Sequence, residues 1–228
     1  MRTALVTGGS RGIGRAIALE LVHRGITRLA ITARTEEKLS GAKGVLEAAG
    51  AKVLAFQADV RDHEAMAVVI AETVKVFGGI DVLVNNAGVA RRKTFLQTSR
   101  AEWDEIIDVN LKGVLVCTAL VLQRMVANGK GVIINIASGA GKAGFPELSV
   151  YCASKFGVVG FTESLAKEVS TYGVRVYAVC PGSTDTRMYR SLYPEREPAA
   201  EPEDVARVVG GLVAGELQVS PGRCVDVY

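Results

Sequence analysis

Seven short apolar runs, separated by stretches of helical periodicity, set the strongest limit on what this chain can fold into. They lie at Thr3–Val6, Leu29–Thr32, Lys52–Phe56, Asp81–Val84, Gly131–Ile136, Val174–Val179 and Cys224–Val227. Most are apolar almost throughout, as in strands covered on both faces. Between them, Ile13, Ala16, Ile17 and Leu21 keep one helical face apolar. Further helices are predicted at Glu36–Ala49, closed by Gly50, and at Asp62–Phe77, stopped by Gly78-Gly79. Ser99–Asn128 reads as one or two helices with a break near Asn110, Ser149–Tyr172 as a long helix ending at Gly173, and Pro202–Ala214 as a last short one. Strands alternating with helices imply an α/β fold: one mainly parallel, doubly wound, seven-stranded sheet with helices on both faces. Residues 1–228 read as a single domain. The least regular stretch, 187–202, holds three of the six prolines and reads as a surface lid.

Composition removes several function classes. With 27 basic and 24 acidic residues, the net charge of +3 leaves no nucleic-acid footprint. No apolar run reaches the length of a membrane span. Only two histidines are present and no His/Cys cluster, so no metal site is expected. Cys117, Cys152, Cys180 and Cys224 are widely spaced without a CxxC, which fits reduced thiols in a cytoplasmic protein. The chain opens directly as a strand, and no signal peptide is expected. Arg91-Arg92-Lys93 reads as a solvated loop or as a docking patch for an anion.

The chemistry sits where strands end. Thr7-Gly8-Gly9-Ser10-Arg11-Gly12-Ile13-Gly14 joins the first strand to the first helix. Its glycines let backbone approach a pyrophosphate at a helix N-terminus, although the spacing departs from G-x-G-x-x-G. The second strand ends Ala33-Arg34, with no carboxylate for a ribose 2′-hydroxyl. Arg34 and Arg11 instead suit a 2′-phosphate, hence NADP(H) rather than NAD(H). Asn85-Asn86-Ala87-Gly88 follows the fourth strand, and Pro181-Gly182 with Thr184 and Thr186 closes the sixth. Tyr151 and Lys155, four apart, stack on one helical face. Moving a tyrosine pKa from about 10 to neutrality takes roughly 4 kcal/mol. An ammonium about 5 Å away supplies roughly 3 kcal/mol at an effective dielectric near 20. One lysine is therefore expected to do most of the tuning. Ser138 follows the fifth strand, where a hydroxyl is delivered to the same sheet edge.

Taken together, TGGSRGIG at 7–14, Asp59-Val60, NNAG at 85–88, Asn110, Ser138, Tyr151-x3-Lys155 and Pro181-Gly182 with Thr186 resemble the short-chain dehydrogenase/reductase family over nearly the whole chain. The resemblance implies an NADP(H)-dependent oxidoreductase that interconverts a carbonyl and an alcohol, with Tyr151 as general acid or base. It implies that Lys155 binds the nicotinamide ribose, that Ser138 orients the carbonyl, and that Asn110 holds a water for proton relay. Gly8, Ser10, Arg11, Gly12, Ile13, Gly14, Arg34, Asp59, Val60, Asn86, Ala87, Gly88, Pro181, Gly182, Thr184 and Thr186 would line the cofactor. The helices around 111–128 and 149–172 would form a homodimer or homotetramer interface. Many members continue past the last strand into a glycine-rich tail, whereas this sequence stops at Tyr228, which leaves both oligomers open. Position 184 departs from the family's usual apolar residue. A reductase of 3-oxoacyl carrier-protein substrates, met by Arg124 and Lys130, is one alternative. Tyr172 stands where such reductases often carry a basic residue. A non-catalytic dinucleotide sensor is the other.

Overall fold

Each of the seven apolar runs is a strand in the computed structural model, which describes all 228 residues. The strands are β1 (Thr3–Thr7), β2 (Arg28–Ala33), β3 (Lys52–Gln57), β4 (Val82–Asn85), β5 (Gly131–Ile136), β6 (Val174–Pro181) and β7 (Cys224–Val227). They form one all-parallel sheet in the order β3-β2-β1-β4-β5-β6-β7. The order reverses between β1 and β4, and crevices at the carboxyl ends of such switch points are where ligands bind in this fold class.

The helices are α1 (Gly12–His23), α2 (Glu36–Ala48), α3 (His63–Phe77), α4 (Arg100–Ile107), α5 (Gly113–Ala127), α6 (Ser149–Glu168), α7 (Arg187–Leu192) and α8 (Pro202–Ala214). Successive strand residues face opposite layers. Val6, Ile31 and Ile134 pack with Ile17, Leu21, Leu46, Val205 and Leu212 on one face. Leu5, Leu83 and Ile133 pack with Met66, Ile70, Ile106, Val121 and Leu165 on the other. This two-sided burial explains the unbroken apolar runs, because neither face of the sheet meets water.

One local expectation is sharpened and two need correction. The α-helix is interrupted around Asn110 as expected, and the interruption is a wide π-type turn at Asp108–Lys112 through which α4 runs into α5. Its cause is Asn110, whose amide donates to Val89 O (2.9 Å) and accepts from Val89 N (2.8 Å), pulling the turn toward the β4 loop. The long helix ends at Glu168, not Tyr172, and a single 3₁₀ turn, Ser170–Tyr172, carries the chain to Gly173. The 187–202 stretch is not wholly irregular. Thr186 caps α7 by accepting from Tyr189 N at 3.1 Å. All four cysteines are unpaired. No helix is long and apolar enough to cross a membrane.

A buried polar chain crosses the sheet. Asn85 donates to Asn135 Oδ1 (2.9 Å) and Thr118 Oγ1 (3.1 Å), and Asn135 donates to Thr162 Oγ1 (2.9 Å). It ties α5 and α6 through β4 and β5.

Glycines separate packing from propensity. A Cβ on Gly14 would sit 2.3 Å from Gly8 O and 2.4 Å from Asn86 Nδ2, whereas Gly44 in α2 has open space. Gly14→Ala is expected to cost about 1–3 kcal/mol through overpacking. Gly44→Ala should add about 0.5–1 kcal/mol by removing a helix-interior glycine. Chemical denaturation of the two variants checks both signs; a stable Gly14→Ala protein would refute the tight packing of the loop.

Candidate active site

The carboxyl ends of β1 and β4 are interlocked by two side chains. Asn86 Nδ2 donates to Thr7 O (3.0 Å) and Gly8 O (3.2 Å). Thr7 Oγ1 accepts from the backbone N–H groups of Asn86 (3.0 Å) and Ala87 (3.1 Å). Gly8 and Gly12 hold φ of 64° and 50°, conformations that favour glycine. The loop thus reaches the N-terminus of α1 with its backbone exposed in a cleft of about 890 Å³.

Every residue expected to line the cofactor does line this cleft: Gly8, Ser10, Arg11, Gly12, Ile13, Gly14, Arg34, Asp59, Val60, Asn86, Ala87, Gly88, Pro181, Gly182, Thr184 and Thr186. So do Ser138, Tyr151 and Lys155. Asn110 does not. It is fully buried behind Gly88, and besides its two bonds to Val89 it donates to Ser154 Oγ at 3.1 Å. A Cβ on Gly88 would lie 3.4 Å from Asn110 Oδ1 and 3.9 Å from Lys155 Nζ, so both side chains approach Gly88. The Asn110 carboxamide thus commits both of its N–H groups and one acceptor direction of its oxygen to Val89 and Ser154.

Lys155 is 5% exposed and donates to Ile136 O at 2.7 Å. Burial pulls its pKa down to about 8. Its Nζ lies 5.8 Å from the centre of the Tyr151 ring. Burial pushes the Tyr151 phenol up to about 12, with the Ser138 hydroxyl offsetting part of the rise. Desolvation is the largest cause of the rise, and Lys155 is not among the groups that shift the phenol. Ser138 Oγ accepts from Ala140 N at 3.1 Å, which fixes the hydroxyl beside Tyr151.

Arg11, Arg15, Arg34 and Lys38, from the starts of α1 and α2 and the end of β2, also line the cleft. Arg15 and Lys38 were not anticipated; their signal is a basic residue in the first turn of a helix that starts beside the cleft. Arg34 comes no nearer to a carboxylate than 3.8 Å from Glu105, itself bonded to Arg91 at 2.8 Å. Asp59 is gripped by Arg61 through both carboxylate oxygens, at 3.0 and 2.7 Å, which holds it below the usual carboxylate range. The run Arg91-Arg92-Lys93 is exposed at Arg91 and Lys93, as a solvated loop is, but each member also pairs with a carboxylate: Glu105, Glu147 with Glu195, and Glu102. Sequence reasoning also missed the wall beside Tyr151. It is built from Phe145, Leu148, Met188, Tyr189, Leu192 and Tyr193, four of them in or next to α7.

The cleft fits a dinucleotide on its own chemistry. Exposed loop backbone faces it at a helix N-terminus, guanidiniums line it, and the Thr184 hydroxyl, 3% exposed, has no partner.

Comparison with known proteins agrees. The short chain dehydrogenase family matches residues 2–197. A 3-oxoacyl-acyl-carrier-protein reductase FabG of Staphylococcus aureus is 37% identical over 236 residues, covering 99% of this chain and 96% of that protein. A 3-oxoacyl-acyl-carrier-protein reductase of Synechocystis is 41% identical over 194 residues, covering 85% and 78%. The crystal structure of levodione reductase superposes with a TM-score of 0.93 at 31% identity, covering 99% and 95%. The chain belongs to the short-chain dehydrogenase/reductase family, a family of oxidoreductases with a Rossmann-like fold that work with a nicotinamide dinucleotide.

Proposed function

We propose that this protein is an NADP(H)-dependent carbonyl reductase, with residues 1–228 as one dinucleotide-binding domain. The observation that carries the reading is the half-buried Tyr151 phenol, which shares with Ser138 and Lys155 the cleft that the glycine loop opens onto. The dinucleotide supplies the hydride. Ser138 positions the carbonyl oxygen and donates to it as charge develops there. Tyr151 delivers the proton to that oxygen, and in the reverse direction removes it. Lys155, fixed by Ile136 O, keeps donors free for the ribose and draws Tyr151 toward ionisation once the site is filled. Asn110 acts through its grip on Val89 and Ser154, which sets the turn beside Lys155. Arg34 and Arg11, with Lys38 and Arg15, take the 2′-phosphate.

A second reading, reduction of a 3-oxoacyl thioester on an acidic carrier protein, draws on the curated relatives. Of its expected docking residues, Arg124 is exposed at the end of α5, while Lys130 already approaches Asp81 at 3.4 Å. A panel of small ketones, cyclic diketones and a 3-oxoacyl thioester, followed by NADPH absorbance, separates the two. We also place self-association on α5 and α6, which expose Leu115 and Phe156; a monomer by light scattering rejects it.

Tyr151→Phe should lower kcat about 10²–10⁴-fold, the usual contribution of a general acid, with NADPH affinity by fluorescence nearly unchanged. Retained turnover would reject the mechanism. Arg34→Ala should weaken NADPH binding roughly 10–100-fold, as expected for a charged hydrogen bond, and leave NADH binding alone. Tighter NADH than NADPH binding by the unaltered protein would overturn the cofactor assignment. In kcat/KM for NADPH, which reports the free enzyme, activity should fall above about pH 8 as Lys155 loses its proton. Tyr151 stays protonated well beyond that point. A profile flat to pH 10 would show that the lysine charge is not needed.

A further inference from the structure

The segment 187–197 has little of its own to hold it in place. α7 is six residues long and buries none of them. Its ion pairs stay local: Arg190 bonds Asp185 and approaches Glu197, and Arg196 approaches Glu195. Backbone bonds at Ser183 and Asp185 tether only its base, through Ala199 and Ala200. One side chain from across the cleft reaches it. Arg92, in the loop after β4, donates from Nη1 to Leu192 O (3.1 Å) and Glu195 Oε1 (2.9 Å). Its Nε donates to Glu147 Oε2 at 2.8 Å. Its guanidinium carbon lies 4.6 Å from the centre of the Tyr193 ring.

From this geometry we propose that Arg92 is a clasp that holds the 187–197 lid over the cleft and makes Tyr193 a positioning residue for the carbonyl substrate. The proposal rests on the carbonyl-reductase reading for its substrate half only. A guanidinium is suited to the task, because its planar fork bonds several acceptors in fixed directions while its face lies on an aromatic ring. An isolated, half-exposed ion pair does little; here one group joins three segments. Glu147 is the second anchor. It is the only non-glycine residue with positive φ (64°), it lies four residues before Tyr151, and its carbonyl accepts from Lys93 N at 2.9 Å. Arg92 and Lys93 therefore both hold Glu147, in the turn that leads into α6. Tyr193 is boxed in by Arg92, by Arg196 at 5.0 Å and by the tilted Tyr189 ring at 5.3 Å. It lines the cleft with Tyr151. Tyr193 thus borders the space left for the substrate. Its place is set from Arg92, outside the cofactor cradle.

The test reads the lid and the substrate separately. Arg187, Arg190 and Arg196 are exposed trypsin sites within the segment. Arg92→Met and Glu195→Gln should speed cleavage there, about 10-fold and a few-fold, with cleavage elsewhere and Tm unchanged. Equal lid cleavage in Arg92→Met and the unaltered protein overturns the clasp. A uniform rise at all sites also overturns it, since that marks general loosening. With a turned-over carbonyl substrate, Arg92→Met and Tyr193→Ala should each raise KM about 10-fold with kcat within about 3-fold. The double variant should be no worse than either single one, and NADPH affinity should not move. Faster lid cleavage with unchanged KM would overturn the role of Tyr193. If no carbonyl compound is reduced even by the unaltered protein, the carbonyl-reductase reading and the substrate half fall together, while the proteolysis still decides the clasp.

Discussion

The interlock between Thr7 and Asn86 is the contact on which the rest of the site depends. Parallel strands joined by helices end in loops that the sheet ladder does not fix. Here one amide and one hydroxyl tie the loops after β1 and β4 together, using groups that would otherwise be buried without partners. The tie needs Gly14, because a methyl group there would occupy the space of the Asn86 amide. The glycine pattern therefore has a packing cause in addition to any ligand. The buried chain Thr118–Asn85–Asn135–Thr162 carries the same order one layer deeper, from α5 to the helix that bears Tyr151 and Lys155.

Two opposed demands meet on that helix. Burial raises the cost of charge on both Tyr151 and Lys155, but it acts in opposite chemical directions, keeping the phenol protonated and making the ammonium easier to lose. An acid that is loaded at neutral pH and a cation that is only just retained suit proton delivery to an oxygen. Neither property belongs to the residues in isolation.

Much of this was legible in the sequence, for identifiable reasons. The seven strands were readable because burial on both faces leaves no alternation to misjudge. Tyr151, Lys155, Ser138 and the glycine loop were readable because their spacing is set by one helical turn and by strand ends. What failed to show depended on partners remote in sequence. Arg92 meets Glu195 across 103 positions, so its run read as free charge. Lys155 meets Ile136 O, a backbone group with no side-chain signature. Asn110 read as a helix break, and the interruption is there, but its spacing says nothing of the Val89 backbone that it bonds on both sides. The aromatic wall from α7 stayed hidden in a proline-rich stretch whose single capped turn depends on Thr186.

The bond from Lys155 to Ile136 O has a consequence for affinity. A free lysine gives up about 1.5–2 kcal/mol of rotamer freedom when it is ordered. In this molecule that loss is incurred when the chain folds, and the ammonium still has two N–H directions uncommitted. For any guest that meets this ammonium, the ordering of Lys155 is therefore not a fresh cost of binding.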